Sequence, residues 1–267
     1  MKSILEIKKM STIDTSSLSS AKRAVEEIGC EWKDWYYEKA VRPDSCYDIR
    51  FWHSERKSRI EDVPVSMIIG QEHGRYEFCQ EEPNWIAILQ NMYDRWKGIE
   101  PEAVKKDLER CNRGNDPVEL YKYGKFYFIS QGIHRAVHAK FLELETMRCS
   151  VTEYIHDDIS HSYYLRLSKI VGKKAFDEQK SFTNIQKIHF CWHNLYFTIE
   201  WNNVCIDEFE RQVNKVKSIM KCPIKKAYYK LKYMMQANPK KHFEFMNESA
   251  HEMPDIRTAL IYELMTH

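Results

Sequence analysis

No stretch of this 267-residue chain approaches the roughly 18 consecutive apolar residues that a membrane-crossing helix requires. The opening Met1-Lys2-Ser3-Ile4-Leu5-Glu6 interrupts any secretory-leader core with charge, so a cytoplasmic protein without a membrane partner is expected. The eight cysteines, at 30, 46, 79, 111, 149, 191, 205 and 222, contain no Cys-x-x-Cys spacing. That excludes a zinc ribbon or a thioredoxin-type site and makes reduced, mostly buried thiols the expectation. No internal repeat and no helix-turn-helix signature is present, so a sequence-reading DNA module of that kind is not expected. A last absence is local: between Arg211 and Lys241 there is no acidic residue.

That window holds ten basic residues, so it carries +10 against +2 for the whole chain, and the remainder is net acidic at −8. A merely solvated helix mixes signs to form pairs four residues apart, whereas this run segregates one sign. Lys215, Lys221, Lys225, Lys226, Lys230 and Lys232 are the candidate nucleic-acid contacts, interleaved with Tyr228, Tyr229 and Tyr233, which suit stacking on exposed bases. With 43% hydrophobic and 13% aromatic residues, the chain has enough apolar mass for one large or two small cores.

The most informative stretch is Gln131-Gly132-Ile133-His134-Arg135, which joins the apolar strand Phe126–Ser130 to an amphipathic helix. The first turn of a helix carries backbone N–H groups without helical partners, and a glycine lets an oxyanion approach them unobstructed. Gly132, Ile133, His134 and Arg135 are therefore the candidate phosphate or nucleotide contacts, with His134 and Arg135 at the mouth.

The flanks extend the pattern. Asp116-Pro117-Val118-Glu119-Leu120 reads as a strand, Tyr121–Lys125 as a turn, Arg135–Leu144 as the helix, and Met147–Tyr154 as a further strand. This block resembles the ParB N-terminal and sulfiredoxin superfamily, which also contains free serine kinases. The resemblance spans roughly residues 60–157 and is strongest over 116–154. It implies a small mixed sheet with flanking helices, a bound nucleotide (ATP or CTP) with Mg²⁺, and phosphates held at Gly132, His134 and Arg135. It also implies NTPase or nuclease chemistry beside nucleic acid, or, as the alternative, a small-molecule kinase or other phosphotransferase of the free serine kinase type. Sulfiredoxins carry a reactive cysteine where this chain has Ile133, which removes sulfinic acid reduction. Serine kinases have an aspartate where Gln131 stands, and partition proteins have an acidic residue and then two arginines where this chain has Gln131 and one.

Glu119 and His134 are the candidate catalytic residues, the first to orient a metal ion or accept a proton, the second to work at the phosphate. His138 shares a helical face with His134, but no third ligand accompanies them, so no metal site is assigned. His189, Cys191 and His193 alternate on one face of a strand and are likewise not assigned to a metal.

The expected class is α+β, in three parts: a helical lead-in over 1–45, the ParB/sulfiredoxin-like domain over 46–157, and a mainly helical basic region with a β-hairpin over 158–267. Ser19 or Ser20 caps a helix running to about Lys39, ended by Pro43. Tyr47–Trp52 and Val63–Ile69 read as strands, with Gly70–Gly74 a polar connection. Residues 84–97 and Glu102–Cys111 read as helices. Beyond 157, helices are expected at Ser160–Val171, Val204–Met220, 223–236, 239–250 and 254–266, around a hairpin at Ile185–Trp201 turning at His193-Asn194. Oligomeric state leaves no mark in the sequence.

Overall fold

A computed structural model describes residues 30–54, 57–72, 84–89, 101–112, 116–192 and 195–234, together with residues 22, 25 and 26. The class is α+β, with a six-stranded mixed sheet, flanking helices and a separate β-hairpin. The chain divides into two compact units, Met1–His156 and Asp157–His267.

The first unit is built on strands β1 (Trp52–Ser54), β2 (Arg59–Pro64), β3 (Ile68–Gln71), β4 (Val118–Tyr123), β5 (Phe126–Gln131) and β6 (Thr146–His156). The order is β1-β6-β4-β5-β3, with β2 also on β6. β4 and β5 form an antiparallel hairpin, whereas β6 runs parallel to β4 and β3 parallel to β5. β5 returns the chain to the edge where β4 begins, and helix α2 (Ile133–Phe141) carries it from there to β6, the parallel neighbour of β4. Phe126, Tyr127, Phe128 and Ile129 are all buried because β5 has a covered surface on both faces.

The two faces have different partners. Val118, Leu120, Tyr127, Ile129, Met147, Cys149 and Val151 form one core with Ala136, Val137, Ala139 and Phe141 of α2 and Leu108 of α1 (Pro101–Asn112). The opposite face packs Tyr123, Phe126 and Phe128 against Val41, Cys46 and Tyr47. Tyr154 stacks on Tyr123 there, with centroids 4.4 Å apart. Tyr36 and Ala40 lie in the first core and Val41 in the second, so the described end of the expected lead-in belongs to the same unit as the sheet. The helix expected to run to about Lys39 does not extend that far: Asp34–Tyr37 is a 3₁₀ turn and Lys39 bridges Asn84, while residues 19–29 fall largely outside the described residues.

Local readings hold best where hydrogen bonding is local. The helix read at Glu102–Cys111 is present, opened by Pro101, and the helix at 84–97 is described only over 84–89. Tyr47–Trp52 is not a strand: Pro43 starts a turn of helix at Pro43–Cys46, and Ile49–Phe51 is a 3₁₀ turn whose Asp48 side chain accepts from the Arg50 amide. Val63–Ile69 divides into β2, a 3₁₀ turn at Val65–Met67 and β3, because Pro64 cannot extend the ladder. Gly70 and Gln71 belong to β3 rather than to a connection; the Val41 amide donates to the Ile69 carbonyl and the Gln71 amide to the Val41 carbonyl, both at 3.2 Å.

In the second unit, β7 (Lys187–Trp192) and β8 (Leu195–Glu200) form the expected hairpin, with His193 and Asn194 outside the described residues. Ile188, Phe190, Leu195, Phe197 and Ile199 face inward, and Phe209 of the helix α4 (Asn203–Lys221) meets Phe190 and Phe197 edge to face. Helix α3 (Asp158–Val171) is capped by Asp157, which accepts from the Ser160 amide at 2.9 Å. Helix α5 (Pro223–Met234) follows α4, and the helices expected at 239–250 and 254–266 lie outside the described residues.

No helix among the described residues is long and apolar enough to cross a membrane. Cys30, Cys46, Cys149, Cys191, Cys205 and Cys222 are free thiols. Only Cys46 and Cys149 of these are buried, fewer than the sequence suggested, because Cys191 alternates onto the outer face of its hairpin.

The backbone passes Val41 closely at Gly70, where a Cβ would lie 1.7 Å from the Val41 carbonyl oxygen. Gly70→Ala should therefore destabilise the protein by about 3 kcal/mol or more. A urea midpoint indistinguishable from wild type would show that the Val41 crossing is not part of the fold.

Candidate phosphate-binding site

Gly132 caps the start of α2 with φ +80° and ψ 32°, the left-handed conformation that a side chain resists. Its carbonyl accepts the Ala136 amide at 3.1 Å, which fixes the first helical turn, and no side chain caps the helix. The strand-to-helix junction expected from sequence is thus present, with the strand running to Gln131. A Cβ on Gly132 would meet Val118 Cγ2 at 3.1 Å and Arg135 Nη2 at 3.2 Å. Conformation favours glycine here, and a side chain would also need Val118 and the Arg135 guanidinium to give by a few tenths of an ångström.

Topology brings the flanks together. β4 starts where β5 ends, and Glu119 pairs with Gln131 across the hairpin and with Ser150 across the parallel ladder. Asp116 and Pro117 precede that start. Arg135 does not simply project from the mouth: its Nη1 donates to Asp116 Oδ2 at 2.9 Å and to the Asp116 carbonyl. The arginine side chain is 16% exposed and the aspartate 65%, so the guanidinium is laid against the Gly132 turn while its partner faces solvent. His134 is half-buried on the same first turn.

Glu119 is adjacent to this turn in register but not in orientation. Val118 and Leu120 point into the core shared with α2, so the alternation of β4 puts the exposed Glu119 on the opposite face. The structure therefore brings Gly132, Ile133, His134 and Arg135 together and separates Glu119 from them. Sequence reading missed Asp116 and Val118 as neighbours of the turn. Their signal was the hairpin itself, since its register puts the residues that begin β4 beside those that end β5.

His138 is not a ligand partner for His134. It is 1% exposed in the core, and burial, with the nearby His134 second, pushes its pKa down from 6.5 to about 4. Among the described residues, no group of three or more His, Cys, Asp or Glu side chains is arranged to hold a metal ion. His189 and Cys191 do share the outer face of β7, where the His189 ring nitrogen Nδ1 lies 2.8 Å from Thr198 Oγ1; His193 is outside the described residues. They line a cavity of about 620 Å³ with Lys174, Glu178 and Tyr196.

At the far end of α2 a cavity of about 520 Å³ is lined by Trp35, Glu38, Lys140, Glu143 and Glu145, among others. Lys140 is committed within it: Nζ donates to the Ile68 carbonyl at 3.0 Å and lies over the rings of Trp35 and Trp85. The cationic groups at the two ends of α2 thus differ in their engagement, Lys140 by a carbonyl and two indoles and Arg135 by an exposed aspartate. Lys215, Lys221, Lys225, Lys226 and Lys230 of the second unit are all exposed, while the side chain of Lys232 lies outside the described residues.

Comparisons with protein-family models, with curated proteins and with solved structures return no match to this chain. Function is therefore read from the chain's own geometry.

The buried His138 makes a pH prediction with a definite sign. In the unfolded chain the imidazole takes a proton near pH 6.5, but in the folded protein only near pH 4. Stability is fully present above the first value and falls through that window, by about 3 kcal/mol in all. His138→Gln should remove this component, read from urea midpoints at the two ends of the window. An unchanged pH dependence in the variant would place the titrating group elsewhere.

Proposed function

We propose that the first unit is a ParB-like nucleotide-binding domain whose phosphate contacts are the Gly132 turn, the backbone of Ile133 and His134, and the side chain of Arg135. The observation that carries this reading is the left-handed Gly132 at the head of a nine-residue helix without a side-chain cap, with the Arg135 guanidinium beside it. An oxyanion there meets backbone N–H dipoles and a guanidinium that is already positioned, so binding does not require ordering a long side chain. The order of β4, β5, α2 and β6, with β6 parallel to β4, is consistent with the family resemblance of residues 116–154.

The same geometry favours binding over catalysis. Glu119, the expected metal-orienting or proton-accepting carboxylate, emerges on the other face of the sheet, and His134 is the remaining candidate base. A Mg²⁺ ion arriving with a nucleotide needs only one or two protein oxygens, and Asp116 is the carboxylate that lies beside the turn. The small-molecule kinase alternative needs, in addition, an acceptor site next to the phosphates. The exposed lysines of the second unit add a surface for a polyanion.

Thermal shift with ATP, CTP, GTP, UTP and inorganic phosphate, each with and without Mg²⁺, tests the reading on wild type and Arg135→Ala. A nucleotide present at about 100 times its dissociation constant stabilises the native state by about 2.7 kcal/mol. Wild type should show this increment with at least one nucleotide, and Arg135→Ala should lose most of it relative to its own ligand-free midpoint. Equal increments in the two proteins, or none with any nucleotide, would remove the turn as a nucleotide site.

A further inference from the structure

Helix α5 carries a feature that the charge run alone does not explain. Ile224 is 82% exposed, Tyr228 61% and Leu231 60%. Positions i, i+4 and i+7 of a helix share one face, so the three make a continuous apolar stripe rather than scattered surface residues. Lys225 lies to one side of that stripe and Lys230 to the other, while Lys226 is on the far side of the helix, and all three are exposed. The helix contains no acidic residue, and neither does the sequence from Arg211 to Lys241. Tyr229, on the opposite side of the helix from the stripe, is half-buried.

We infer that α5 is an interfacial helix that lays its Ile224-Tyr228-Leu231 stripe on an anionic lipid surface. The occupant must accept aliphatic side chains and negative charge along the same line, and both flanks of the stripe must meet that charge together. The boundary between the acyl chains and acidic headgroups of a bilayer leaflet meets all three conditions, with the lysine stems reaching outward to the headgroups. The phosphates of a nucleic acid match the lysines and its bases match Tyr228, but it offers nothing to Ile224 and Leu231. A second copy of this chain would bring lysines against lysines. Such a contact needs no membrane-crossing helix, in keeping with the absence of one among the described residues. It does not depend on the Gly132 turn, which belongs to the other unit.

The test is flotation of the full-length protein with extruded vesicles of phosphatidylcholine containing about 30% phosphatidylserine, against pure phosphatidylcholine. Wild type should float with the anionic vesicles only. Ile224→Ser with Leu231→Ser should weaken partition by at least about tenfold. Lys225→Gln with Lys230→Gln should weaken it by at least about tenfold, and Lys226→Gln, on the far side of the helix, should weaken it less. The conservative pair Ile224→Leu and Leu231→Ile should float like wild type, which separates loss of the stripe from loss of fold. Three results would overturn the proposal: no flotation with anionic vesicles, equal flotation with both compositions, or undiminished flotation of the double serine variant. Retention of a single-stranded oligonucleotide without any vesicle binding would assign the lysines to nucleic acid instead. A dimer dissociated by the double serine variant, without vesicle binding, would assign the stripe to a second copy.

Discussion

The left-handed turn at Gly132 is the constraint on which the first unit depends. It lets β5 end and α2 begin within one residue, which drops the helix onto the face of the sheet where Val118, Leu120 and Ile129 wait for a cover. Any side chain at this point would have to displace Val118 and the Arg135 guanidinium while adopting a conformation that L-residues resist. Because β5 runs antiparallel to β4, it ends beside the beginning of β4, and α2 starts there before the chain enters β6 on the same edge of the sheet. Fold and candidate site are thus the same event, seen once as packing and once as an array of backbone donors.

The electrostatics follow from this placement. Asp116 holds Arg135 against the turn instead of letting it extend into solvent, so the cation is fixed at the cost of sharing its charge with an exposed carboxylate. The aspartate is a weaker competitor than a buried one would be, since water screens it and its side chain is free to turn outward. Three residues after Arg135, His138 is on the buried side of the same helix and is held neutral by its surroundings. One helix therefore presents a cationic, half-open first turn and an uncharged core face, and the two histidines spaced like a metal pair serve different environments.

The hairpin, the α2 crossover, the β7–β8 hairpin and the starts of α1 and α5 were legible in the sequence because each depends on neighbouring residues: a glycine, a first-turn proline, an alternating run. Tyr47–Trp52 was misread because its aromatic and apolar residues pack as a turn against the second face of the sheet, and periodicity over six residues does not distinguish the two. Gly70 was misread as a connection because its role, passing the backbone of Val41, involves a residue 29 positions away. The candidate site shows the same division. Gly132, Ile133, His134 and Arg135 are contiguous and were found together, whereas the face occupied by Glu119 and the partner of Arg135 are set by strand register. The window of ten basic residues without an acidic one was plain in composition, but the exposed stripe of Ile224, Tyr228 and Leu231 was not, since exposure is decided by what else packs on the helix.

The central claim is that backbone amides at the head of α2 receive an oxyanion. Its most direct measurement is the amide nitrogen and proton chemical shifts of Ile133 and His134 during titration with inorganic phosphate and then with a nucleoside triphosphate. The account predicts saturable shifts that are largest at these two amides and at the Arg135 guanidinium, with the triphosphate acting at lower concentration than phosphate. Resonances at Ile133 and His134 that stay in place while those of the lysines in α4 and α5 move would contradict it.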